Sequence, residues 1–183
     1  TNVDLSGRNL TGANLTGAFL FGTTLAGADL SYTSLPYAYL SGKDLTGTNL
    51  SGADLSYANL DGVDLSGKDL TGTILRGIDL TGKDLTGTIL READLSYANL
   101  SGQDLSGKDL TGTILMAANL ANVNLSGVDL SDMDLSYAIL TNVDLSGKNL
   151  TRTTFDNAKL GGINLENTNL DTATFVDVDF TKI

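Results

Sequence analysis

The sequence predicts a four-cornered coil of twenty residues, repeated and stacked into a solid rod. Two observations carry this reading. Leucine or phenylalanine closes every fifth position from Leu5 to Phe180 without a slip, and glycine falls two places after it in 20 of those pentads. The first observation excludes the ordinary elements. Residues five apart on an α-helix are rotated by about 140°, so no apolar stripe forms. On a flat strand side chains alternate, and every second leucine would face water. A chain that turns one corner per pentad escapes both conflicts, because four corners close a coil and every leucine then points to a common axis.

Each place in the pentad has its own chemistry. The leucine fills the axis. The residue two before it is usually Ala, Thr or Val, as expected for a second inward position with little room. The residue just before the leucine is Asp or Asn in 25 of 36 pentads, and the one after it is mostly Ser or Thr. Asp and Asn side chains bond back to turn amides, and Ser and Thr do so more weakly. Glycine marks the point where the corner needs positive φ. A second period lies on the first. Tyr57, Tyr97 and Tyr137 recur every forty residues inside Ser-Tyr-Ala, and SGKDL, SGKDL and SGKNL begin at Ser66, Ser106 and Ser146. Two coils therefore look like the unit of duplication. No linker or composition break interrupts the chain, so one domain is expected over 1–183.

Ala13-Asn14-Leu15-Thr16-Gly17 and Ala53-Asp54-Leu55-Ser56-Tyr57 match the motif A-(D/N)-L-x-x, and the pattern resembles the pentapeptide-repeat family along the whole chain. The uninterrupted pentads look like the plain members common in cyanobacteria. The resemblance implies an all-β fold, a right-handed quadrilateral parallel β-helix (a β-solenoid) of about nine 20-residue coils. Stacked coils would then hydrogen-bond along the axis like parallel strands, about 4.8 Å apart, with no central cavity.

Composition narrows the function classes. The chain has no Cys and no His, so it offers no Ser–His or Cys–His nucleophile pair and no His/Cys metal site. Its carboxylates repeat evenly instead of gathering in a cleft. No enzyme activity, cofactor or metal is expected. The net charge of −11 argues against direct nucleic-acid binding and against an anionic membrane, and no apolar run is long enough to span a bilayer. A protein partner, its identity open, is what remains.

Residues twenty apart stack, so counting in twenties lays out the surface. One row reads Asp44, Asp64, Asp84, Asp104. It is either a charged ladder that imitates DNA phosphates or a set of turn caps; free replacement of Asp by Asn favours capping. Six basic residues, Arg8, Lys43, Lys68, Lys83, Lys108 and Lys148, fall at the small inward position. A charge on the axis is prohibitive, so their stems are expected to leave the core at its edge and place the charge in water. There they would pair with the aspartate rows, Lys83 with Asp64 or Asp104. A further row carries Tyr37, Tyr57, Tyr97 and Tyr137 where glycine normally sits, with Tyr39, Phe19 and Ile139 nearby. These aromatics either form a contact surface or lie flat over the corner. At the C-terminal end, Leu165, Leu170, Phe175 and Phe180 have no following coil, which points to a homodimer through a solenoid end.

Three functions fit: a rigid scaffold or protein-interaction rod, a DNA-mimicking topoisomerase-binding protein, and an end-to-end assembling structural protein. The second rests on the resemblance, since relatives that protect DNA gyrase from quinolones share the rod shape, size and acidity. Those relatives carry irregular pentads and projecting loops, which are missing here.

Overall fold

A computed structural model describes residues 3–181. Its unit is the corner. The leucine carbonyl of each pentad accepts the amide three residues on, as in Ala53 N–H to Leu50 O at 3.0 Å and Thr88 N–H to Leu85 O at 3.0 Å. The third residue of this turn has positive φ in every pentad from Gly7 to Asp177, between 53° and 73°. The residue before it does not, which defines a type II turn. Asp or Asn ahead of the leucine closes the corner from the side. The Asp64 carboxylate accepts the Ser66 amide at 2.9 Å, and the same bond recurs at most pentads. The corner therefore reads as the sequence predicts, down to the glycine position and the Asx bond.

The corners return every leucine to the axis. From Leu20 to Leu160 the fifth residues form one continuous buried column, with Phe155 fully enclosed among them. Burial of a leucine side chain contributes roughly 1.5–3 kcal/mol, so this column is the dominant favourable contribution to folding. Ala28, Ala38, Ala53, Ala93, Ala98 and Ala118 fill the second inward position with no exposed surface.

Successive coils are joined by parallel bridges between residues twenty apart. The chain is an all-β solenoid, but among the described residues it has no extended strands. Each bridge is a single residue wide, because the corner takes most of the pentad. The four faces, named here for Leu5, Leu10, Leu15 and Leu20, are joined unequally. On the Leu15 face bridges run unbroken from Asn14 through Ser34, Asp54, Ile74 and Asp94 to Ile114. On the Leu20 face they run from Asp79 through Asn99, Asn119, Ile139 and Lys159 to Asp179. On the Leu5 face no bridge joins Asp44, Asp64, Asp84 and Asp104 to one another among the described residues. On the Leu10 face Asp109, Asp129 and Asn149 are likewise unjoined.

Two causes act at these openings. The first is charge. Aspartates stacked at about 4.8 Å repel one another, whereas on the Leu15 face Ile74 separates Asp54 from Asp94. The second is lysine, and here the structure corrects the sequence reading. The five inward lysines are only part-buried, yet among the described residues none forms an ion pair with the aspartate rows. Each ammonium turns along the axis and donates to backbone carbonyls of the preceding coil. Lys83 Nζ reaches Leu60 O at 2.6 Å, Lys108 reaches Leu85 O at 2.7 Å and Thr88 O at 3.1 Å, and Lys148 reaches Leu125 O at 2.6 Å and Val128 O at 3.0 Å. Lys43 takes Thr23 O and Lys68 takes Leu45 O. Thr23, Val63, Thr88 and Val128 carbonyls would otherwise accept the amide of the residue after the lysine, so the ammonium stands in for a ladder bond. The Asn59–Asp79, Ile114–Asp134 and Asn124–Asp144 openings have neither cause, and nothing in the structure explains them.

The leucine carbonyl that lysine seeks has one lone pair in the turn and one facing the next coil. Neutral polar residues at the same inward position use it identically. Thr73 donates to Leu50 O, Thr113 to Leu90 O, Thr153 to Leu130 O, and Gln103 to Leu80 O. The ion pairs among the described residues belong instead to arginine: Arg76 with Asp94, Arg91 with Asp109, and Arg152 with Asp132.

Corner side chains explain the forty-residue period. At positive φ a side chain leans over the corner of the next coil. The Tyr57 ring covers Gly77 so closely that a β-carbon there would sit 2.1 Å from it, and Tyr32 covers Gly52 in the same way. From Tyr57 onward a small residue stands above the corner rings of Tyr57 and Tyr97, so Tyr57, Tyr97 and Tyr137 alternate with Gly77 and Ala117; Tyr37 and Tyr57, on successive corners, stack ring on ring instead.

Two outcomes follow from this packing. Replacement of Lys108 by Ala strands the Leu85 and Thr88 carbonyls and should destabilise by about 1 kcal/mol, whereas Lys108→Thr should restore most of that loss. Urea unfolding followed by circular dichroism checks this; equal losses would refute the carbonyl role. Gly67 has φ +64° with open space at its β-carbon position, so Gly67→Ala should cost only the left-handed penalty of about 1–2 kcal/mol. Gly77→Ala should cost more, and Tyr57→Ser should bring it back to the Gly67→Ala level. A double-mutant cycle without coupling would contradict the ring-over-corner contact.

Candidate interaction surfaces

The aspartate row lies where the sequence places it. Asp44, Asp64, Asp84 and Asp104 share the Leu5 face and each holds the amide of the second residue on, at 2.8 to 2.9 Å. These hydrogen bonds, from Thr46, Ser66, Thr86 and Ser106, keep all four carboxyls below the ordinary range. The Asp64 charge pushes Asp84 the other way, but less strongly. Turn capping thus outweighs like-charge repulsion, and the row stays ionised at neutral pH. Because the coils part here, the row borders clefts. One of about 550 Å³ lies between Asp84 and Asp104 beside Lys83, and one of about 620 Å³ lies around Asp109 and Asp129 beside Lys108. Burial pushes Lys108 down, while Asp104 and Asp84 pull it back up.

The aromatic row is partly stacked and partly spread. Tyr37 and Tyr57 are parallel, with centroids 5.3 Å apart and planes 8° apart. Tyr39 is not in that stack; it pairs with Phe19 at 4.4 Å on the adjoining Leu20 face. Tyr97 stands alone beneath the Arg76 guanidinium, 5.7 Å from its ring centre. Tyr137 is the remaining member, about three-fifths exposed. Tyr57 lies over Gly77 and still leaves 48% of its surface exposed. Phe21, which the sequence reading passed over, is 97% exposed at the corner beside Phe19. The Phe19-Leu20-Phe21 run was its visible sign. Residues 16–22, 36–42 and 56–60 include no Asp, Glu, Lys or Arg, so these aromatics occupy a charge-free patch bordered by Asp54, Asp61 and Arg76.

At the C-terminal end, Phe155, Phe175 and Phe180 form a stacked series, with centroids 5.0 and 6.4 Å apart. Leu165 and Phe175 are partly covered; Leu170 and Phe180 are exposed. No group of three or more Asp, Glu, His or Cys side chains among the described residues is arranged to hold a metal ion. Among the described residues no helix is long and apolar enough to cross a membrane.

The pentad is shared with known proteins. The family model "Pentapeptide repeats" matches in 8 copies, over residues 1–35, 28–67, 69–96, 93–132, 113–147 and 149–183. Among solved structures the chain is similar to HetL, a pentapeptide repeat protein involved in heterocyst differentiation regulation from the cyanobacterium Nostoc sp. strain PCC 7120. They share 34% identity over 94% of this chain and 84% of that one, with a TM-score of 0.47. Rfr23, a pentapeptide repeat protein from the cyanobacterium Cyanothece 51142, matches at 24% identity over 97% of this chain and 90% of its own, TM-score 0.25. QnrB1, a plasmid-mediated fluoroquinolone resistance protein, matches at 20% identity over 92% and 89%, TM-score 0.37. No curated protein matches. The unbroken leucine pentad, the corner that follows it, and family matches along nearly the whole chain place this protein in the pentapeptide repeat family.

Proposed function

We propose that the chain is a non-catalytic rod that acts as a protein-interaction module or scaffold. In this reading residues 1–183 form one unit, a right-handed quadrilateral helix of about nine coils. The observation that carries it is the charge-free aromatic patch of Phe19, Phe21, Tyr37, Tyr39 and Tyr57, continued along the corner by Tyr97 and Tyr137. Amphipathic aromatics supply large contact area at low entropic cost, and a solid leucine axis holds them in fixed register. The open acidic clefts supply no general acid or base pair and no enclosed substrate site.

The experiment is capture of binding partners from the source cell by the immobilised chain, compared with a Tyr57→Ser, Tyr97→Ser, Tyr137→Ser variant of unchanged circular dichroism. Partners held by the aromatic row should be lost from the variant; their retention would reject that surface.

A second reading is favoured by the ionised row Asp44, Asp64, Asp84, Asp104, which lines one face as phosphates line DNA. Salt-sensitive inhibition of gyrase supercoiling would support a topoisomerase-binding role, and no inhibition at high protein concentration would exclude it. The stacked Phe155, Phe175 and Phe180, with exposed Leu170, supports pairing of two copies through that end alongside partly covered Leu165. The molar mass in solution should then halve on replacing Phe175 and Phe180 by Lys, and an unchanged mass would count against it.

A further inference from the structure

We propose that Tyr37 and Tyr57 form a dityrosine modification site, at which a one-electron oxidant joins two successive coils by a covalent bond. The backbone sets the pair. Each tyrosine is the third residue of a type II corner, with φ of 58° and 54°. The corners lie one coil apart and are tied together by the Tyr37 amide donating to Ser56 O at 2.9 Å. Both side chains lean the same way along the axis, which leaves the rings parallel with centroids 5.3 Å apart. Both are also half-exposed, at 59% and 48%. An oxidant in solution therefore reaches each phenol, and the radicals formed are already neighbours.

No other tyrosine has such a partner. Tyr97 and Tyr137 are two coils apart, about 9.6 Å on the spacing of paired strands, with Ala117 at the corner between them. Tyr39 stacks on Phe19, which has no phenol to oxidise. Tyr32 lies over Gly52.

The chemistry is balanced with an external oxidant of the peroxidase or photogenerated ruthenium(III) class. Each phenol gives up one electron to the oxidant and its hydroxyl proton to water. The two phenoxyl radicals then form one carbon–carbon bond between ring carbons ortho to the oxygens, as the exposed rings turn edge to edge. The hydrogens on those two carbons pass to the oxygens, and both rings regain aromaticity. Two electrons and two protons leave in all. The new bond closes a loop between residues twenty apart in the chain and restricts the unfolded state as other cross-links do. The rod is thereby fastened at the charge-free patch, and oxidation there is recorded permanently. The site needs no partner protein, so it stands or falls independently of the interaction reading.

The test is illumination of the dilute full chain with ruthenium(II) tris-bipyridyl and persulfate, read by dityrosine fluorescence, intact mass and peptide mapping. The expected product is a monomer lighter by two hydrogen atoms, with the Tyr37 and Tyr57 peptides joined and a raised thermal midpoint. Tyr37→Phe and Tyr57→Phe keep the ring stack and should each lose this product several-fold, while Tyr97→Phe should retain it. Linkage mapped to other tyrosines, equal yield in the Phe variants, or cross-links only between molecules would overturn the proposal. So would an undiminished Tyr37–Tyr57 yield in urea, which would show that folding does not create the pair.

Discussion

The spacing between successive coils governs the rest of the molecule. Twenty residues return the chain to the same place one strand spacing further along. There every backbone amide and carbonyl that points along the axis needs a partner. Where no two aspartates stack directly, as along the Leu15 and Leu20 faces, the backbone meets most of that need by itself. Where aspartates stack or lysine intervenes, the coils part and side chains complete part of the pairing. The stack is thus zipped along nearly all of two adjacent faces, and on the other two held by scattered bridges together with corners, leucines and inserted ammonium groups.

This division gives the polar residues at the inward position a common purpose. Lysine, threonine and glutamine differ in size and charge, yet Lys83, Thr73 and Gln103 all donate to a leucine carbonyl of the preceding coil. The carbonyl is the constant partner and the donor is interchangeable. The same logic bars two lysines from stacking directly, since each would crowd the other's charge one coil away. A tilted ring such as Tyr57 likewise occupies the volume at the next corner, where Gly77 leaves room for it. From Tyr57 onward two coils are the smallest unit in which both constraints are met, and there the sequence repeats at forty.

Much of the fold was legible in the pentad, because the leucine axis, the positive-φ corner and the Asx bond are local events fixed within five residues. Gly77 and Asp64 could be assigned their tasks from position alone. The lysines could not. Their destination depends on a carbonyl in another coil, twenty or more residues away, and hydrophobic periodicity does not reveal hydrogen-bond acceptors. Burial rules for an isolated cation sent Lys108 to water; a second free lone pair on the Leu85 carbonyl kept it at the edge of the core. The tyrosine row was visible as a row, and counting in twenties pairs Tyr39 with Phe19 and Tyr37 with Tyr57; it could not show that the Arg76 guanidinium lies over Tyr97. Phe21 was overlooked because it sits at a corner place usually held by Ser or Thr.

The central claim, that two faces are closed by backbone pairing along nearly their whole length and two only in part, is tested most directly by residue-resolved amide hydrogen exchange in the middle coils. The Asp94 and Leu95 amides donate to Thr73 O and Ile114 O at 3.0 and 2.9 Å. They should exchange only with global opening of the stack. Asp84 and Leu85, ten residues earlier on the open Leu5 face, should exchange orders of magnitude faster. Equal protection on all four faces would contradict the account, because it would mean that the ladder continues across the aspartate row and that the lysine contacts only decorate it.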